Sequence, residues 1–440
     1  MKILLITSSA RGHAIADALS RSTKKPEIIS VCASDNPGIK KLAAKQYAGN
    51  IMDFDFVTSI AKKSKPDFAI IGPEDPMGAG LTDILEEMGI PTVAPKKKLA
   101  RIESSKSFTR NLLKKHNIDI SPKFRVFTSV EGLNLINFID QEFKGEFVIK
   151  YDALKGGKGV KISGEHLNSI EEGVEYAKNC IKECGQVVIE EKLVGQEFSL
   201  MSFASGETTI DMPAVQDHKR AYEGDIGPNT GGMGTYSDKN HSLPFLESND
   251  LKRASEVNRL TAQALMKECG EPFKGILYGG YICVKDGIKL IEFNARFGDP
   301  EVLNILPLLG TDFVDICLGI ISGELNNNMV RFQNMATVCK YISPNGYPEN
   351  KNQRGEAVEF PDVPKNARLY FGDISEDGGK FKLGGSRTAG IVGIGDTIFE
   401  AELIAQSFCE NVKGPVRYRR DIGTPEIIKK RCDMLKKIRS

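Results

Sequence analysis

Phe147-Val-Ile-Lys-Tyr-Asp-Ala-Leu-Lys-Gly-Gly-Lys-Gly-Val160 is the stretch on which the reading of this chain turns. The apolar run 147–150 has the length and composition of a buried strand, and it delivers Lys150 at its end. A glycine-rich loop follows at once, Gly156-Gly157-Lys158-Gly159. Without β-carbons, glycines let backbone N–H groups approach phosphate oxygens, and the lysines neutralise charge. Neither Gly-Lys pair in the chain precedes Ser or Thr, so this is not a Walker loop. Taken alone, the same residues also fit a hairpin tip with solvated lysines.

Three further stretches ask for a partner. In Leu290-Ile-Glu-Phe-Asn-Ala-Arg-Phe-Gly-Asp-Pro-Glu301, strand alternation places Glu292 and Asn294 on one side, with Arg296 continuing the row. Ile291 and Phe293 then face the core. Two hard oxygen donors beside an arginine suit Mg²⁺ held together with substrate phosphates, while an exposed polar strand face is the plainer alternative. Gln216-Asp-His-Lys-Arg220 precedes Gly227-Pro-Asn-Thr-Gly-Gly-Met-Gly234, a loop rich in amide and side-chain donors that could wrap a small anionic molecule or simply cover surface. Val188-Ile-Glu-Glu-Lys-Leu-Val-Gly-Gln-Glu197 is an apolar strand that turns polar, which can seat a purine or be an ordinary amphipathic strand.

The frame around these stretches is a multidomain soluble chain. At ~150 residues per domain, 440 residues suggest about three domains. With 59 basic and 58 acidic residues, the net charge of +1 argues against a nucleic-acid coat or a polybasic membrane binder. No apolar stretch reaches the ~18 residues of a membrane span, and the start lacks a secretory core. Nine scattered cysteines read as reduced thiols in a cytoplasmic protein, and five histidines without His-Glu-x-x-His leave little room for a zinc hydrolase. Residues 1–100 alternate short apolar runs (2–6, 28–32, 68–71, 91–93) with helices (11–19, 81–88). That pattern predicts a parallel sheet, with ligands beyond its strand ends at 7–12 and 72–75. Residues 96–116 form one long basic amphipathic helix or a pair. Segments 198–203, 209–213, 276–284 and 289–293 read as an antiparallel sheet, and 303–319 as one helix. A polar break at 324–328 opens a strand-rich tail with one helix at 398–411.

These four motifs, in this order, resemble the ATP-grasp superfamily and, more narrowly, the phosphoribosylamine–glycine ligase family. Arg296-Phe-Gly-Asp-Pro-Glu301 is similar to that family's signature, and the likeness runs from the first strand through Gly72-Pro73-Glu74 and Ser105-Lys106 to Tyr418-Arg-Arg-Asp-Ile-Gly423. The resemblance implies a mixed α/β and α+β architecture: an N-terminal Rossmann-like pre-ATP-grasp domain (1–100), an ATP-grasp domain (101–327, with a mobile flap at about 122–192) and a C-terminal β-rich domain (328–440). It implies ligation of glycine to 5-phosphoribosylamine at the expense of ATP, with Mg²⁺ or Mn²⁺. It implies no nucleic-acid or membrane partner, and a monomer or weak homo-oligomer. Lys106, Lys150, Gly156, Gly157, Lys158 and Gly159 would hold ATP phosphates. Glu190, Glu191 and Leu193 would line the adenine pocket, and Glu197 would meet the ribose. Glu292 and Asn294 would bind the metal. Arg296, Asp217 and Lys219 would address the reacting groups, and Glu74, Asn229, Thr230, Gly231, Gly232 and Met233 would complete the substrate site. Two other readings stay open: a different ATP-grasp carboxylate–amine ligase, or a nucleotide-binding regulator without turnover.

One departure stands at the N-terminus. The family begins with a glycine-rich turn and Arg-Glu-His-Ala; here Thr7-Ser8-Ser9-Ala10-Arg11-Gly12-His13-Ala14 puts serines for glycines and Gly12 for the glutamate.

Overall fold

The computed structural model describes residues 1–129, 132–155 and 159–440. Five parallel strands open the chain, ordered Lys45–Ala48, Glu27–Cys32, Lys2–Thr7, Phe68–Ile71 and Thr92–Val93. Helices cover both faces of this sheet, so its central strand is apolar throughout. Ile3 and Leu5 enter one core, Leu4 and Ile6 the other. The chain crosses to opposite sides of Lys2–Thr7 for its two neighbours, Glu27–Cys32 and Phe68–Ile71. The carboxyl ends part at that switch, and the turns after Thr7 and Ile71 share one crevice.

The basic stretch forms two helices, Lys97–Ser104 and Lys106–Lys115. Ser105 breaks them: it is extended, and its hydroxyl accepts from Phe108 N at 3.1 Å as an N-cap. Next comes an antiparallel sheet ordered Phe124–Phe127, Val187–Glu191, Phe147–Tyr151, Val160–Ile162. Its last two strands form the hairpin that carries the glycine-rich loop, and helix Ile170–Cys184 covers one face.

The central sheet is antiparallel, ordered Thr208–Asp211, Gln196–Ser205, Lys274–Val284, Gly287–Asn294. Pairing slips between Gly280 and Tyr281, where Gly280 faces Glu292 and Tyr281 faces Leu290. This bulge takes Ile291 out of the alternation. Leu290 and Phe293 enter the core, whereas Ile291 lines a small pocket with Glu292, contrary to the expectation that it faces inward. The segment expected as one helix over 303–319 is divided. Glu301–Ile305 passes into a 3₁₀ turn at Pro307, and after Gly310 the capping carboxylate of Asp312 starts helix Phe313–Ser322.

The C-terminal sheet is built from distant parts of the chain. Its order is Gln216–Asp217, Gly234–Ser237, Ala336–Pro344, Ala389–Gly395, Ala367–Phe371, and Val416–Arg417 also pairs with Ala336–Pro344. Two strands flanking the glycine-rich 227–234 loop are thus bound to the tail. All nine cysteines are free. Among the described residues, no helix is long and apolar enough to cross a membrane.

Candidate functional site

Strand Phe147–Tyr151 carries Lys150 into a buried ionic cluster. Its ammonium sits 2.8 Å from Glu190 and donates to the carbonyl of Ile291 at 2.7 Å. Arg110 grips the same carboxylate with two bonds, 2.6 and 3.0 Å, and donates to the carbonyls of Leu290 and Ile291. Burial pushes the Lys150 pKa below its ordinary value; Glu190 opposes that, and Arg110 adds to it. Both oxygens of Glu190 are taken, so this carboxylate anchors Lys150 and Arg110 rather than offering itself to a base. Lys106, the first residue of its helix, donates to the carbonyl of Ala153 at 2.8 Å.

Glu292 lies among four cations. Burial alone would raise its pKa, but Lys219, Lys150, Lys106 and Arg296 outweigh it and keep the group ionised. No described residue hydrogen-bonds to the Glu292 carboxylate or the Asn294 side-chain amide. An ionised carboxylate and an amide oxygen left without protein partners, beside three lysines, fit a hard divalent cation that takes its remaining ligands from a polyphosphate. Among the described residues no group of three or more acidic, His or Cys side chains could hold a metal alone.

Lys219 faces this centre and pairs with Glu197 at 3.1 Å. Asp217 is held above the ordinary carboxylate range by burial and by Glu301. The 227–234 loop returns beside them. Thr230 donates from both its backbone N–H (2.7 Å) and its hydroxyl (2.9 Å) to the Lys219 carbonyl. Gly232 has φ +105, and a β-carbon there would lie 2.6 Å from Asp217 Oδ1. The carbonyls of Gly231 and Gly232 accept from Arg387 at 2.7 and 2.8 Å. Asn229 is exposed at the end of strand Ile226–Asn229. Met233 is a correction: its side chain is fully buried in the core, so only its backbone borders the loop. Glu191 accepts from Lys123 N at 2.8 Å, and Leu193 lies half-buried in the hinge between Val187–Glu191 and Gln196–Ser205. The Gly159 carbonyl accepts from Tyr151 N, closing the hairpin. Gly156, Gly157 and Lys158 lie outside the described residues.

The strand ends at Asn294, so Arg296 leaves the Glu292 row and turns toward the N-terminal crevice. It meets Glu74 and Glu103, each at 3.2 Å. Burial would raise Glu74, but Arg296 and Arg11 bring it down to about 2; burial lifts Glu103 from 4.5 to about 7 against the pull of Arg296. Arg11 donates to the Gly72 carbonyl at 2.8 Å and lies 3.4 Å from Glu74. Asp299 accepts from Ser9 (2.7 Å) and Tyr341 (2.7 Å) and faces Arg387 at 3.3 Å. The altered N-terminal turn has a steric reason: a β-carbon on Gly12 would lie 2.3 Å from Thr7 Oγ1. While Thr7 is present, a glutamate cannot occupy position 12 without displacement.

Glu103, Arg110, Asp299 and Arg387 escaped the sequence reading. A signal existed for the first two. Glu103 lies four residues after Leu99 and Arg110 three before Leu113, which puts both charges within apolar stripes. Asp299 stood within the quoted Gly-Asp-Pro run, and Arg387 carried no local signal.

Comparison with known proteins matches this geometry to one family over most of the chain. Residues 1–103 match the phosphoribosylglycinamide synthetase N domain, 104–302 its ATP-grasp (A) domain and 337–425 its C domain. The chain belongs to the phosphoribosylglycinamide synthetase family. The phosphoribosylamine–glycine ligase of Methanococcus maripaludis is 47% identical over 447 aligned positions, covering 100% of both chains. That of Methanocaldococcus jannaschii is 45% identical, again over 100% of both. The crystal structure of phosphoribosylamine–glycine ligase from Thermotoga maritima superimposes with a TM-score of 0.78 at 27% identity, covering 96% of this chain and 100% of that one. A biotin carboxylase–β,γ-ATP complex from Campylobacter jejuni has a TM-score of 0.74 at 13% identity, covering 99% and 98%. That likeness extends the fold beyond the phosphoribosylglycinamide synthetase family without extending its chemistry.

Proposed function

We propose that this chain joins glycine to 5-phosphoribosylamine, converting ATP to ADP and phosphate and forming glycinamide ribonucleotide. The observation that carries the reading is the cationic cradle of Lys106, Lys150, Lys219 and Arg296 around Glu292 and Asn294, whose side chains no described residue hydrogen-bonds, in a chain that matches its named relatives from end to end. Glycine's carboxylate is a poor electrophile. Transfer of the γ-phosphoryl group to it gives glycyl phosphate, and the ribosyl amine then displaces phosphate. No protein nucleophile is needed, so catalysis is positioning and charge neutralisation.

Lys150 and Lys106 hold the phosphates, with Glu190 and Arg110 fixing Lys150. Lys219 faces the transferred group. Arg296 addresses the reacting carboxylate, oriented by Glu103 and Glu74. Asp217 and the backbone of Thr230–Met233 border the acceptor, whose phosphoribosyl end has the crevice of Ser9, Arg11 and Gly72 beside it. Glu292 and Asn294 would hold Mg²⁺ or Mn²⁺, which when bound neutralises triphosphate charge. Leu193 and the hinge backbone seat the base, and Glu197 lies on the ribose side. The family matches support a division near residue 100 and a second between 302 and 337, with Gln216–Asp217 and Gly234–Ser237 lent to the third unit's sheet.

The test is ADP release with Mg²⁺, glycine and freshly generated phosphoribosylamine, omitting each in turn. Release must need all three. Release that ignores phosphoribosylamine removes the acceptor assignment, and product without ATP cleavage removes the mechanism. Glu292→Gln should abolish metal-dependent release while leaving the fold intact.

A further inference from the structure

Between Lys219 and Thr230 the chain forms a hairpin, Arg220–Tyr222 paired with Ile226–Asn229. Its second strand is exposed along its whole length, so no core holds it. Its base carries Lys219, Asn229 and Thr230. Its tip is gripped by the tail. Arg419, fully buried, makes a two-bonded pair with Asp421 (2.9 and 2.6 Å) and reaches Asp225 at 2.9 Å and the Arg220 carbonyl at 3.2 Å. Arg431 pairs with the other oxygen of Asp225. Asp421 also accepts from Gly224 N at 3.0 Å. Arg417 donates to the Ala221 carbonyl at 2.7 Å and lies over the Tyr222 ring. Asp225 itself sits at φ +62, a backbone conformation that disfavours a side chain. Behind the clasp, buried Lys340 binds the Arg420 carbonyl at 2.7 Å along with Glu402 and Gln406.

We propose that Arg419 is a positioning residue for the ligation: through Asp225 and the Arg220 carbonyl it sets the hairpin 220–229, and thereby the placement of Lys219 and Thr230 at the reacting centre. This rests on the functional reading of those two residues. A guanidinium suits the task because its planar fork can satisfy two carboxylates and a carbonyl at once, which an ammonium cannot match. A misplacement of 1 Å at a reacting centre costs on the order of 100-fold in rate. A loose hairpin therefore lowers turnover through Lys219 and Thr230, while Lys106 and Lys150, on other elements, stay in place.

Arg419→Ala would strand two carboxylates and invite misfolding. The test accordingly uses Asp225→Gly, which accepts the positive φ and removes the carboxylate that Arg419 and Arg431 share, with Arg419→Lys as its companion. Ile226→Ser, at the exposed tip, is the control. For Asp225→Gly the expected result is a fall in kcat of about 10- to 100-fold. The KM for ATP changes less than kcat, and amide exchange rises only within 217–233 and in helix Pro425–Arg439, which carries Arg431. Arg419→Lys should fall between it and wild type, and Ile226→Ser should match wild type. Wild-type kcat and exchange in Asp225→Gly would overturn the proposal. So would a loss accompanied by faster exchange throughout the chain. If wild type releases no ADP with these substrates, the functional reading falls, and exchange at 217–233 still decides the clasp.

Discussion

Removing the carboxylate of Glu190 should cost more than removing the lysine it holds. Glu190→Gln leaves Arg110 and Lys150, with side chains only 2% and 7% exposed, facing each other and two carbonyls without a counter-charge. Breaking a buried pair from one side costs about 3–5 kcal/mol. Spread over a urea m-value of about 1–3 kcal/mol/M, that lowers the first unfolding midpoint by at least about 1 M. Lys150→Met is the contrast. It removes a desolvated ammonium and leaves the two-bonded Arg110–Glu190 pair intact, so the midpoint should stay close to wild type. Its activity should fall by roughly 10²–10³-fold, the scale of losing one preorganised electrostatic stabiliser. The chain has no tryptophan, so circular dichroism is the appropriate probe, read alongside ADP release. Equal destabilisation by the two variants would refute the reasoning, because Lys150 would then be structural. Full stability in Glu190→Gln would refute it from the other side.

Other perturbations test other joints. His13 Nδ1 accepts from Phe371 N at 2.9 Å, joining helix Ser9–Ser20 to the C-terminal sheet, and burial together with Lys41 lowers its pKa from 6.5 to about 3. A base lowered on folding stabilises fully above pH 6.5. Stability should decline by up to about 1.4 kcal/mol per pH unit as pH falls toward 3, and His13→Gln should flatten that slope in urea titrations at stepped pH. Gly12→Ala should lose about 1–3 kcal/mol through its clash with Thr7, and adding Thr7→Gly should restore the thermal midpoint. Glu74→Gln frees Arg11 and Arg296 from their shared carboxylate and should change the KM for glycine or acceptor more than that for ATP, in steady-state assays with each substrate varied.

What could be read in advance was what periodicity and backbone chemistry write locally. The run Ile3–Ile6 announces a strand buried on both faces, and the apolar run 147–150 announces the strand that ends at the buried Lys150. The long helix Ser248–Cys269 escaped because its buried side is small and polar in part: Asp250, Ala254, Asn258, Thr261. Ile291 misled because a bulge, set by pairing with a strand elsewhere, overrides alternation. Glu190 was legible as chemistry but not as a tethered anchor, since its partner Arg110 lies eighty residues away. The clasp on 220–229 was out of reach for the same reason: nothing in either segment encodes the other.

The shared C-terminal sheet has a consequence for how the enzyme comes to exist. Gly234–Ser237 cannot complete its pairing until Ala336–Pro344 has been synthesised. That lies about 100 residues later, roughly 5–20 s at ~5–20 residues per second. During translation the strand that carries Lys150 can therefore be in place while the sheet edge that carries Asp217 is still unmade. Maturation of the chain is therefore closed by the tail rather than by the segments that carry Lys150 and Glu292.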